Sequence, residues 1–364
     1  MKKRGLGSFI AVLVIAVVIF VSLYGVWNFL ATAISTPPAA KTGSLGVNIR
    51  SGETTDAIAN DLYSKGLISN PLIFRFWARI RGLDTHLEAG SYSLTPGMSI
   101  DQVIAKLQNG QPDARTLLVE DGWRIEQIAY QINKLGLRGF NEQQFLTYAH
   151  NPSKFPNVSK YPLLKGASSM EGLLFPDTYF VPITYNTVQI TDMMLNEFQQ
   201  VVQQNNLVAL AQQHQLTAYQ MVILASIVQR EAGNAGQMPL IAGIYWKRIH
   251  QPSPEIGTLL QADPTVQYAR DTDHPPTSAA DYWKPLDDGG GNIDPTNHWN
   301  TYTFSGWPPT PISNSNLKAL EAAASPQQTN CYYFLNKASD GSLVCAATNA
   351  QFQQLEKKYL PPGN

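Results

Sequence analysis

Residues 47–69 read VNIRSGETTDAIANDLYSKGLIS, a strand, a turn and a helix in 23 residues. Val47-Asn48-Ile49 has strand composition, Thr54 or Thr55 is placed to cap a helix, and Ile58, Leu62 and Tyr63 recur at helical spacing until Gly66 ends the run. A second helix starts at Ser69-Asn70-Pro71, with Pro71 at its first position and Ile73, Phe74, Trp77 and Ile80 expected on one buried face. Ser91 to Leu94 reads as a second strand, Pro96-Gly97 as a turn, and Ser99-Ile100-Asp101 opens a helix that stops at Asn109-Gly110. Residues 46–112 therefore form one small α+β subdomain. Thr116 to Val119, Asp121-Gly122 and Arg124 to Leu135 then repeat the order of strand, turn and helix, a weak internal duplication. The fold class is α+β, with a mixed α/β domain expected over residues 113–364.

Upstream, Lys2, Lys3 and Arg4 precede Phe9 to Leu30, a largely apolar run, and no charged side chain follows until Lys41. As a helix this run is about 33 Å long, enough for a hydrocarbon core of roughly 30 Å. Ala31-Thr32-Ala33 offers a signal-peptidase site, but the run is longer than a typical signal-peptide core. The reading is an uncleaved transmembrane helix over 8–34, a cytoplasmic N-terminus over 1–7, and a linker over 35–45. The positive-inside rule then exports everything downstream and makes the chain a single-pass membrane protein whose body lies outside the cytoplasm.

Composition narrows the function. With 26 Lys+Arg against 27 Asp+Glu and a net charge of −1, the 364-residue chain has no electrostatic footprint for nucleic acid. Its 7 Trp, 16 Tyr and 14 Phe supply apolar area for a core, which excludes disorder over most of the length. The six histidines are scattered, without metal-ligand spacing, so no metal or cofactor is expected. Phosphate-binding loops and a nucleophile elbow are also missing from the sequence. Gly289-Gly290-Gly291 reads as a loop. Cys331 and Cys345 flank a hairpin expected around Ser339-Asp340-Gly341; a disulfide and two independent buried thiols are both compatible with the spacing.

Thr217 to Ala232, TAYQMVILASIVQREA, has a Thr cap, a continuous apolar middle and Gly233 just beyond its end. Glu231 follows Leu224 by seven residues, Ile227 by four and Val228 by three, which places its carboxyl on the apolar stripe. Burial and the negative end of the helix dipole both disfavour its charged form, as a general acid at neutral pH requires. The plainer alternative is a Glu at the edge of the stripe that reaches water or pairs with Arg230 or Arg248.

The stretch 47–69, together with LEAGSYSLTPGMS, SSMEGLLFPDTYFVP, LASIVQREA, LQADPTVQYA, NTYTFSGWPPTPISN and ALEAAASP, resembles the membrane-anchored endolytic murein transglycosylases of the MltG/YceG type, in that family's order. The resemblance implies a LysM-like subdomain over 46–112, a catalytic domain over 113–364, and cleavage of peptidoglycan glycan strands to 1,6-anhydro-N-acetylmuramic ends without a cofactor. It also implies the bacterial inner membrane as the anchoring membrane, a periplasmic body, and peptidoglycan synthases or penicillin-binding proteins as partners. The family's catalytic stretch resembles A-S-I-V-E-K-E, and Gln229 stands at its first acidic position, so the catalytic role is transferred to Glu231. Carried over as substrate-binding are Glu171, Asp177, Tyr179, Gln261, Asp263, Asn300, Thr301 and Tyr302. Asp263 before Pro264 also reads as a helix cap, Glu171 as a structural acceptor or a second carboxylate, and Asn300 and Tyr302 as loop-closing residues. The family's phenylalanine and histidine near the last hairpin are replaced by LVCAATNAQF, which leaves that segment without an assigned role. Two rival functions remain: a hydrolytic muramidase using Glu171 or Asp263 as second carboxylate, and a non-catalytic peptidoglycan-binding scaffold.

Overall fold

The computed structural model describes residues 45–49, 52–82, 90–108, 114–286 and 296–360, with scattered helical positions between 13 and 34. Most of the expected membrane span, its flanks and the Gly289-Gly290-Gly291 loop lie outside the described residues. Among the described residues, no helix is long and apolar enough to cross a membrane.

The chain divides into two compact units, one of residues 1–115 and 179–182, the other of residues 116–178 and 183–364. In the first, β1 (Leu45–Ile49) pairs antiparallel with β2 (Gly90–Leu94), Val47 opposite Tyr92. Three helices accompany them: α1 (Thr55–Ser64), α2 (Pro71–Ile80) and α3 (Ile100–Gln108). Thr54 caps α1 by accepting from the Ala57 N–H, and the Asn70 side chain accepts from Leu72 and Ile73 at the start of α2. Val47, Ile58, Leu62, Phe74, Tyr92 and Val103 close one core. Ile80 is 55% exposed, against the expectation that it shares the buried face of α2. Phe74 and Ala78 form the buried stripe one turn apart, and a residue two positions beyond Ala78 projects to the far side of the helix.

The second unit is mostly helical. Its elements are β3 (Ala114–Leu118, of which 116–118 belong here), α4 (Ile125–Asn133), α5 (Glu142–His150), β4 (Thr178–Pro182, of which only Thr178 belongs here), α6 (Thr187–Gln204), α7 (Leu207–Gln213), α8 (Ala218–Glu231), α9 (Met238–His250), α10 (Asp263–Asp273), α11 (Leu317–Ala324), the hairpin β5 (Tyr333–Asn336) and β6 (Leu343–Ala346), and α12 (Asn349–Tyr359). Helix α8 is its axis. Thr217 and Gln220 form a reciprocal capping box at its start, and Met221 to Val228 are all buried. A helix apolar all round needs neighbours on every side, and α7, α9, α10 and α11 surround it.

Two backbone details tighten this packing. Gly243, inside α9, faces the Gln327 carbonyl so closely that any Cβ would clash, and the Gln327 N–H donates to the Pro239 carbonyl at 3.1 Å. Residues 310–315 run buried past α8 without regular structure: the Ile312 N–H donates to Ser226 Oγ at 3.0 Å, and Ser313 Oγ donates to the Ser226 carbonyl at 3.1 Å. Side chains thus supply what a ladder would otherwise provide. At the C-terminal end Cys331 and Cys345 are joined by a disulfide, which settles the alternative left open by the spacing.

Candidate active site

Glu231 is the last residue of α8, and its half-buried carboxyl faces α9. Tyr245, on α9, donates its hydroxyl hydrogen to Glu231 Oε1 at 2.6 Å. Burial pushes the Glu231 carboxyl up to about 7; the Tyr245 hydrogen bond opposes this, the Asp263 charge adds to it, and the Arg248 guanidinium draws it down. Tyr245 is itself buried, which holds its hydroxyl well above the usual phenol range and keeps it a neutral donor.

Arg248 does not pair with Glu231. Its Nη1 donates to the Leu260 carbonyl, while Nε and Nη2 both donate to the Tyr332 carbonyl at 2.8 and 2.5 Å. It therefore ties α9 to the turn before α10 and to the disulfide-bonded segment. In that turn Gln261 has φ of 49°, a left-handed conformation that costs a non-glycine residue about 1–3 kcal/mol. Thr301 holds the turn: its carbonyl accepts from the Gln261 N–H at 3.1 Å and its Oγ1 from the Ala262 N–H at 3.0 Å. The turn delivers Asp263 as the first residue of α10, with Ala262 at the cap position, so Asp263 is not the N-cap that Asp-Pro suggested. Its carboxylate accepts from the Tyr302 hydroxyl at 2.6 Å. Asn300 closes the loop, since its Oδ1 accepts from the Tyr302 N–H at 3.1 Å.

Glu171 belongs to a different network. Fully buried, it accepts from Asn314 Nδ2 at 2.9 Å, from the Ile125 N–H at 3.3 Å and from the Tyr268 hydroxyl at 3.4 Å. Burial pushes its carboxyl well above the usual range, the Glu126 charge adds to this, and Arg124 opposes it. The charges acting on Glu231 come from Asp263 and Arg248, so Asp263, and not Glu171, is the carboxylate coupled to Glu231.

A model of the YceG-like family matches residues 47–358. The chain belongs to that family. This YceG-like chain is 26% identical over 332 residues to a Bacillus subtilis (strain 168) protein named endolytic murein transglycosylase, covering 88% of the chain and 86% of that relative. A relative of the same name from Streptococcus pneumoniae (strain D39) is 26% identical over 319 residues, 82% of the chain, which spans only 55% of that relative's length. A 2.6 Å crystal structure of a YceG-like protein from Listeria monocytogenes superposes with a TM-score of 0.54 at 26% identity, covering 86% of this chain and all of that one.

The residues expected from the sequence of the YceG-like chain thus separate. Glu231, Gln261, Asp263, Thr301 and Tyr302 come together, with Asn300 shaping their loop. Asp177 lies elsewhere, lining a shallow hollow with Leu118 to Asp121, its own Oδ1 accepting from the Thr178 N–H at 2.7 Å. Tyr179 is buried in the segment that goes with the first unit. Gln229, at the family's first acidic position, accepts from the Asn316 N–H at 3.0 Å and so supports the start of α11. Sequence reasoning missed Tyr245 and Asn314. Nothing in the periodicity of α9 marks Tyr245 as a donor, but Asn314 closes the quoted stretch NTYTFSGWPPTPISN, where a buried amide among prolines was a usable signal. Among the described residues, no group of three or more His, Cys, Asp or Glu side chains could hold a metal ion.

Proposed function

We propose that this protein is an endolytic murein transglycosylase that cleaves the bond between N-acetylmuramic acid and N-acetylglucosamine within peptidoglycan strands, with Glu231 as its general acid and base. The observation that carries this reading is the Glu231 carboxyl, raised to about 7 and anchored through Oε1 by Tyr245. Near neutral pH it is present in both forms, and Oε2 is left to carry the reacting proton. Protonated Glu231 gives that proton to the glycosidic oxygen as the C1–O bond breaks. The resulting carboxylate takes the proton of the muramic C6 hydroxyl, whose oxygen closes on C1. No water is consumed and Glu231 ends protonated, so one carboxyl suffices.

Asp263 stabilises the protonated start of this cycle through its charge, and Tyr245 and Arg248 stabilise the carboxylate formed midway. The coupling of Asp263 to Glu231 favours a second reading, hydrolysis with two carboxylates. Gln261, Thr301 and Tyr302 are proposed to form the wall against which the sugar lies. Anchoring by residues 8–34, with the body outside the cytoplasm, would confine cutting to strands near the bilayer and to the synthases that make them; the apolar run behind Lys2, Lys3 and Arg4 supports this. The LysM-like role of residues 46–112 rests on the same resemblance.

The test is mass spectrometry of the products from sacculi incubated with the full chain and with its Glu231→Gln variant. Internal 1,6-anhydro ends that vanish in the variant are expected. Reducing ends would move the reaction to hydrolysis, and absence of new ends despite binding to sacculi would leave a scaffold.

A further inference from the structure

Helix α9 carries Tyr245 and Arg248 on one side; on the other it walls a separate cavity of about 530 Å³. Gly243, Trp246, Lys247 and Gln251 line that side, and the segment 326–330 lines the opposite wall. The volume lies in the range of small-ligand sites, roughly 300–1,000 Å³. Its chemistry is unlike a solvent-filled gap between apolar elements. Trp246 is fixed in orientation because its Nε1–H donates to the His214 carbonyl at 2.7 Å and its ring stacks on His250 at 4.8 Å. Gln327, Gln328, Thr329 and Asn330 bring amide and hydroxyl groups that both donate and accept. Lys247 is the cation, its Nζ donating to Gln251 Oε1 at 3.1 Å and lying 5.1 Å from the Tyr332 ring, and no Asp or Glu lines the cavity.

We propose that this cavity is a second saccharide site, outside the catalytic cluster, that takes an N-acetylated amino sugar bearing a carboxylate. The assignment rests on the peptidoglycan reading above. The indole offers an apolar wall to the ring carbons, the amides match acetamido and hydroxyl groups, and Lys247 receives the carboxylate in a charge-assisted hydrogen bond. The carboxylate belongs either to the lactyl group of muramic acid or to the stem peptide attached to it. The wall 326–330 continues into Tyr332, whose carbonyl accepts from Arg248, so an occupied cavity braces the same segment that positions the catalytic side of α9.

The experiment uses the full chain with Glu231→Gln to prevent turnover, titrated calorimetrically with GlcNAc–MurNAc and with chitobiose, which lacks the carboxylate. GlcNAc–MurNAc is expected to bind at least about tenfold tighter, and Lys247→Gln in the same background should erase that preference. A photoreactive GlcNAc–MurNAc should label the peptide containing residues 327–330. Displacement by free stem tripeptide would assign the carboxylate to the peptide, and its failure would assign it to the lactyl group. Equal affinity for the two sugars together with no binding of the free stem tripeptide, or a preference unchanged by Lys247→Gln and by Trp246→Phe, would overturn the proposal. Cleavage is scored separately, with Glu231 intact. A chain that cuts strands without a Lys247-dependent preference loses only this second site, and a chain with the preference but no new strand ends loses only the transglycosylase assignment.

Discussion

Tyr245→Phe isolates what holds the Glu231 carboxyl near neutrality. The variant keeps the ring that meets Phe334 edge-on at 5.8 Å and lies under the Arg248 guanidinium at 5.4 Å, and removes only the hydroxyl that donates to Glu231 Oε1. A hydrogen bond to a charged group contributes about 1.5–3 kcal/mol against about 1 kcal/mol for one between neutral groups, so the hydroxyl favours the carboxylate over the acid by about 0.5–2 kcal/mol. At about 1.4 kcal/mol per pH unit, its loss lifts the carboxyl by about one unit. In the proposed mechanism the proton donor is the protonated form, so activity is expected to fall as pH rises through the Glu231 value, which lies at about 7 in the native chain. In Tyr245→Phe that alkaline limb should therefore move up by about one pH unit, whatever happens to the maximum rate. The assay is initial rate of anhydro-end formation from purified glycan strands between pH 5 and pH 9. A limb that stays in place or moves down would refute the account of how Glu231 is tuned.

Asp263→Asn is expected to do the opposite: without its negative charge beside Glu231 the carboxyl falls, so the alkaline limb moves to lower pH in the same assay. Glu231→Gln should stabilise the fold at alkaline pH. A carboxyl raised from 4.5 to about 7 is destabilising by about 3 kcal/mol once ionised, a cost absent below pH 4.5 and complete above about pH 7. The variant's melting temperature should exceed that of the native chain at pH 8 and match it at pH 4. Reducing the Cys331–Cys345 bond, which closes a loop with a sequence separation of 14, should cost about 3 kcal/mol, measured as an earlier denaturant midpoint with reductant. The same treatment should slow cleavage, because the Tyr332 carbonyl that accepts from Arg248 follows directly after Cys331.

The local elements were legible because their signals are local. Thr54, Asn70 and Thr217 cap the helices they precede, and the spacing of Glu231 from Leu224, Ile227 and Val228 anticipated a carboxyl held out of water. The alternative reading of Asp263 as a helix cap fails for the opposite reason. Asp-Pro is a cap signal only when the Asp backbone is extended, and the left-handed Gln261 turn, held by Thr301 some forty residues away, carries Asp263 into the helix instead. Tyr245 meets Glu231 from a different helix, 14 residues on, and Asn314 acts across far longer separations. Asn314 accepts from the Leu174 N–H at 2.9 Å and donates to Glu171, contacts separated by 140 and 143 residues. Periodicity can mark such a residue as buried but cannot name what it meets.

The proposed catalytic cluster is drawn from Glu231, Tyr245, Asp263 and Tyr302, and Arg248 takes its acceptor from residue 332. A growing chain emerges from the ribosome in that order, so the acid is made long before the groups that tune and orient it. A fragment that ends before the hairpin holds a glutamate without its setting. For a protein proposed to cut the cell wall, competence is therefore expected only once the final quarter of the chain, with Tyr302 and the Tyr332 carbonyl, has been made.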